Sequence, residues 1–237
     1  MNFQQYALLP IGIWLLAVFV RFRRSTVVLI GGLLAVGLST SIALICHQAS
    51  LQDFGLCIPI PWLSTLLFAS AWLALMLVYS PVADRIATRW FAKPPTLGAF
   101  RSIQQSTMKL VVGIAIAWFL GAYLEELTFR GIVLKMVEAQ LSTLFPLTIA
   151  AAISICIAAA GAGIIHLYQG PRATFIIIQL SILFGLLFVL SRDTLWAVIL
   201  CHGMYDTIAF IRFAGGKSRY SKFAHDRADR RFRGPRG

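Results

Sequence analysis

Long apolar runs broken by short polar ones set the pattern of this chain. Apolar residues dominate positions 7–20, 26–46, 62–79, 109–137, 147–168, 173–190 and 195–211. A helix needs about 20 such residues to cross a bilayer. The pattern therefore predicts an all-α, polytopic transmembrane bundle of about seven spans, one domain over residues 1–211. The first run is short, so its opening turn is expected at the interface. The run 109–137 is longer than one straight span needs, which predicts a tilt, a kink near Gly121 or an interfacial end. Turn residues punctuate the rest: two prolines within 47–61, Lys93-Pro94-Pro95, Pro146, Gly170-Pro171 and Ser191-Arg192-Asp193-Thr194. Residues 81–91 place Val82, Ile86, Trp90 and Phe91 on one face, predicting a short interfacial helix separate from the third span.

Charge orients the bundle. Arg21, Arg23 and Arg24 follow the first apolar run, the reverse of a cleavable signal peptide. With the N-terminus outside and the C-terminus inside, those arginines fall on one side with Arg85, Arg89, Lys93, Arg101, Lys109, Arg172 and the tail. Only Arg192 stands in an opposite loop, so the arrangement obeys the positive-inside rule. Nine of the 21 Lys and Arg lie from Arg212 onward, against Asp226 and Asp229 alone. Residues 212–237 read as a basic cytoplasmic tail, disordered or held on anionic lipid. At 59% apolar and 13% charged residues, with a mean hydropathy of +0.80, the chain is not a soluble domain. The net charge of +12 thus points to the lipid bilayer as partner and not to nucleic acid. The four cysteines show no zinc spacing. Cys156 and Cys201 read as apolar filler, while Cys46 and Cys57 flank one short connection, where a disulfide is conceivable if that loop is extracytoplasmic but is not the favoured reading.

Against this background Glu125-Glu126 is expensive. Each charged residue at a helix centre costs ~2.5–3.5 kcal/mol on an insertion scale, so two Glu and Arg130 together approach ~8–10 kcal/mol. Glu126 and Arg130, at i and i+4, share a face and can pair. Glu125 is rotated about 100° away and must find a polar cavity, a proton or a distant partner. His166 follows a run of small residues that lets helices approach closely. His202 and Asp206, at i and i+4, share a face of the last span. An antiparallel pairing across the turn near Thr143 brings Glu125 and His166 to comparable depth.

Glu, His, His and Asp in one dry cavity suit water-activating amide hydrolysis. A desolvated Glu becomes a competent base. A neighbouring His shares the water or protonates the leaving amine, and a second His, oriented by Asp206, donates to an oxyanion. The same side chains could hold a divalent metal, but no HExxH is present.

Glu125-Glu126-x-x-x-Arg130 with Gly131, then His166, then His202-x-x-x-Asp206, resemble in order the three motifs of the CAAX-protease and bacteriocin-processing family of glutamic intramembrane endopeptidases. The resemblance covers roughly the C-terminal half. Phe129 and Gly163 match common family neighbours, while the Phe of the second motif, Phe-x-x-x-His, is Ala162 here. The resemblance implies Glu125 as base, His166 positioning the water, His202 and Asp206 as oxyanion site, and Glu126 with Arg130 mainly holding the helix. It implies no metal and no cofactor. The expected function is cleavage of a peptide or membrane-anchored protein substrate near the cytosolic leaflet of a cell membrane. The alternative is a non-catalytic scaffold or bacteriocin-immunity protein, in which the polar cluster serves packing.

Overall fold

The computed structural model describes Trp14 and residues 26–59 and 61–216. The expected first span (apart from Trp14) and the basic tail from 217 lie outside the described residues. Those described are helical and turn residues without a strand, and six helices are long and apolar enough to cross a membrane. They are α1 (Thr26–Ile45), α2 (Trp62–Trp90), α3 (Thr107–Leu141), α4 (Leu147–Ile164), α5 (Pro171–Leu190) and α6 (Leu195–Ala214).

The central helix is α3. Seven consecutive residues, 126–132, are buried, and a helix buried on every side belongs inside a bundle. Helices α1, α4, α5 and α6 pack around it, and α2 closes the bundle against α5 and α6. Ser106 caps α3 by accepting from the Lys109 N–H at 3.2 Å. Over Ala117–Glu125 and Leu127–Leu134 the winding loosens from α to π geometry. Part of the extra length of this run is thus taken up by π turns, which are frequent at functional sites.

Helix α2 departs from the expected pattern. No separate interfacial helix forms over 81–91, because α2 runs unbroken through Pro81. An interior proline costs about 3 kcal/mol. Tertiary contacts just beyond it oppose that cost. Ala83 and Ala87 are fully buried, Arg172 grips Asp84 Oδ1 through Nε at 3.0 Å and Nη2 at 2.7 Å, and the Gln179 amide donates to the Ala83 carbonyl at 3.3 Å.

Helix α4 ends at Ile164, earlier than the expected 168, and a single 3-10 turn, Leu167–Gln169, follows. Gly170, at φ +97°, makes the left-handed step into Pro171, a conformation open mainly to glycine. The loop over 46–61 is tied to the helix ends beneath it. Phe54 is buried, the Leu195 N–H donates to the Gly55 carbonyl at 2.8 Å, and the Trp196 indole donates to the Leu56 carbonyl at 3.0 Å. Cys46 and Cys57 are both free. Cys201 fills the core beside Met76, with the sulfurs 3.7 Å apart, whereas Cys156 is exposed on α4.

Candidate active site

The two adjacent glutamates take different environments. Glu126 is fully buried and spans two partners. Its Oε2 lies 3.0 Å from Arg130 Nη1, and its Oε1 lies 2.6 Å from His202 Nδ1 on α6. Arg130 continues inward, where Nη2 donates to Ser181 Oγ at 2.5 Å and to the Ser181 carbonyl at 2.8 Å on α5. Phe184, three residues on, stacks on the His202 ring at 4.7 Å and 22°, and the Arg130 guanidinium carbon lies 5.5 Å from its centroid.

Glu125 points the other way, toward a partly open edge. Its side chain keeps 13% of its exposure, and its Oε1 lies 3.8 Å from His166 Nε2. His166 sits just past the end of α4. Its Nδ1 lies 2.8 Å from the Ala162 carbonyl, and a carbonyl only accepts. Nδ1 therefore carries the proton, and in the neutral ring Nε2 turns its lone pair toward Glu125. Ala162, in place of the family Phe, is buried.

His202 joins the two halves. Its Nε2 lies 3.5 Å from Asp206 Oδ2 on the same face of α6. His166, His202, Asp206 and Glu126 all act electrostatically on Glu125. Two glycines let the helices come this close. A Cβ on Gly121 would lie 3.3 Å from Asp206 Oδ2 and 3.8 Å from His202 Nε2. A Cβ on Gly203 would sit 2.5 Å from the Trp118 ring, whose indole N–H donates to Thr207 Oγ1 at 3.0 Å.

All six residues singled out from the sequence thus converge, from α3, α6 and the turn after α4. The pairing within each helix is as expected. The contact between Glu126 and His202 was not, and it gives Glu126 more than a helix-holding position. Ser181 and Phe184 were missed as well. Their only local signal is that Gln179 and Ser181 are the polar residues in the otherwise apolar stretch 175–190. Among the described residues no group of three His, Cys, Asp or Glu side chains is arranged to hold a metal ion.

A helical bundle long and apolar enough to cross a membrane several times marks a multi-pass membrane protein, here one that encloses a cluster of carboxylates and imidazoles. Residues 107–208, which carry all three motifs, match the family model described as Type II CAAX prenyl endopeptidase Rce1-like. The likeness is confined to that segment, a little under half of the chain, and suggests a membrane protease. No curated protein and no solved structure matches the chain.

Proposed function

We propose that the chain is a metal-independent intramembrane endopeptidase of the cell membrane that cuts a peptide or membrane-anchored protein with water activated by Glu125 and His166. One observation carries this reading: the Glu125 carboxylate and the lone-pair nitrogen of His166 face each other 3.8 Å apart. Two acceptors at that separation are matched by one water that donates a hydrogen to each. At ordinary hydrogen-bond lengths the two acceptors would subtend roughly 85° at its oxygen. Both hydrogens are then engaged, and an oxygen lone pair is left for attack.

The reaction follows from the placement of protons. Glu125 takes one proton from the water as its oxygen bonds to the scissile carbonyl carbon. The carbonyl oxygen becomes an oxyanion. In this scheme His202 is the imidazolium, which donates Nδ1–H to Glu126 and keeps a second proton on Nε2 beside Asp206 Oδ2, 3.5 Å away. That proton is available to the oxyanion as a hydrogen bond. The C–N bond then breaks, and the amine leaves with the proton that Glu125 took, directly or through His166. Glu125, His166, His202 and Asp206 are the catalytic residues in this scheme, with Glu126 and Arg130 supporting them. With the N-terminus out and the C-terminus in, as the charge pattern favours, His166 just past the end of α4 would lie toward the cytosolic leaflet, which is where the substrate is proposed to be cut.

The test compares the termini of membrane proteins and secreted peptides in cells carrying wild-type protein or Glu125→Gln, with expression and detergent melting matched. Precursors that stay uncleaved only in the variant identify both the activity and the substrate. Identical termini with the cellular phenotype intact would sink the protease and leave a binding or immunity scaffold.

A further inference from the structure

We infer that Ser181 on α5 is a positioning residue for His202, acting through Arg130 and Glu126. As a statement about the reaction, this rests on the protease reading above. The four residues form one buried chain between α5 and α6. Ser181 offers two acceptors, its hydroxyl and its carbonyl oxygen, to the same Arg130 nitrogen. That nitrogen carries two N–H groups in a fixed planar fork, so both are engaged and the guanidinium plane is set. The neighbouring Nη1 lies 3.0 Å from Glu126 Oε2 as an ion pair, which draws the carboxylate toward Arg130. The other carboxylate oxygen holds His202 Nδ1 at 2.6 Å. Each group in the series is held near the one before it, and the last, through Nδ1, bears on where His202 Nε2 points.

A second contact from the same helix acts on the same ring. Phe184, on the next turn from Ser181, stacks against the face of His202. Stacking limits rotation of the ring about Cβ–Cγ. The Glu126 contact sets which ring nitrogen faces the carboxylate. On α5 the Arg130 guanidinium meets the Phe184 ring face as well, but its hydrogen bonds go to Ser181, which is itself buried. A packing-only role at this position would be met equally well by alanine, a better helix former.

The test uses full-length protein in micelles, labelled with 15N in the imidazole rings, with His166 as internal control. Ser181→Ala keeps the backbone carbonyl contact, so the fold should survive. The Nδ1 proton of His202, in a short bond to a carboxylate, is expected to move in Ser181→Ala and to return in Ser181→Thr, while His166 stays in place. On the cleaved substrate kcat should fall about tenfold, the effect of weakening one hydrogen bond to a charged group, with KM unchanged and turnover recovered in Ser181→Thr. A His202 signal that does not move overturns the inference, whatever the turnover. A signal that moves with kcat unchanged overturns Ser181's part in the reaction. A wild type that cleaves nothing, with a His202 signal that still moves, removes the protease reading and keeps the buried chain.

Discussion

Exchanging each glutamate of the pair for glutamine in turn should give two opposite phenotypes from neighbouring positions. Glu126 and Arg130 are both within 2% of full burial, and Glu126 also accepts from His202. A glutamine there keeps one carbonyl oxygen but sets an amide NH2 against the other donor. Removing one member of a buried ion pair costs about 3–5 kcal/mol, because the remaining charge is left unmet. Glu125 has no Arg or Lys partner, keeps part of its exposure and stands 3.8 Å from His166. Its replacement should cost about 1 kcal/mol or less. Turnover orders the two differently: loss of the base in Glu125→Gln should remove about 10²–10⁴-fold of the rate with melting unchanged.

The assay is the thermal midpoint of the monodisperse protein in one fixed detergent, beside turnover on the substrate found from the terminus comparison. Glu126→Gln should melt well below wild type, and Glu125→Gln should melt with it. Equal losses of stability in the two variants, or the larger loss in Glu125→Gln, would refute the division of the pair into a buried anchor and a working carboxylate.

The same melts check other features. Gly203→Ala, which drives a methyl into the Trp118 ring, should cost about 1–3 kcal/mol. Gly31→Ala, where the added Cβ meets nothing within 4 Å, should be neutral or gain up to ~1 kcal/mol; equal losses at both would refute the close approach of α3 and α6. Arg192 holds φ 58° in the turn before α6, a conformation that costs roughly 1–2 kcal/mol for a residue with a Cβ, so Arg192→Gly should raise the midpoint. Asp193, next in that turn, has its carboxyl pushed above the ordinary range by burial, with Lys135 opposing. The raised value favours the protonated form in the folded protein. That contribution to stability is complete below the ordinary carboxylate range, about pH 4, and is lost as pH rises through the raised value. Asp193→Asn should flatten this decline, and an unchanged pH slope would exclude Asp193 as its source.

What could be read from the sequence follows from how far each constraint reaches along the chain. The bilayer sets span length locally, so the bounds of α1, α5 and α6 lie within three residues of those expected. Within-helix pairs have fixed spacing, and Glu126 with Arg130 and His202 with Asp206 were legible at i and i+4. The failures are contacts between elements. The unbroken α2 depends on Arg172 and Gln179, distant from Pro81 in sequence, and no amphipathic pattern over 81–91 contains them. The contact of Glu126 with His202 joins residues 76 apart, and Ser181 enters only because Arg130 extends from α3 to α5.

The division of labour in the glutamate pair joins both scales. Adjacent residues on one helix cannot face the same way, so a helix placed at the bundle centre must send one carboxylate inward when the other reaches an edge. The inward one is viable only with buried partners, and Arg130, one turn on, supplies the first of them. The outward one is left with a His and a partly open edge. The i, i+4 spacing that pairs Glu126 with Arg130 inside the bundle is thus the same geometry that turns Glu125 toward the edge.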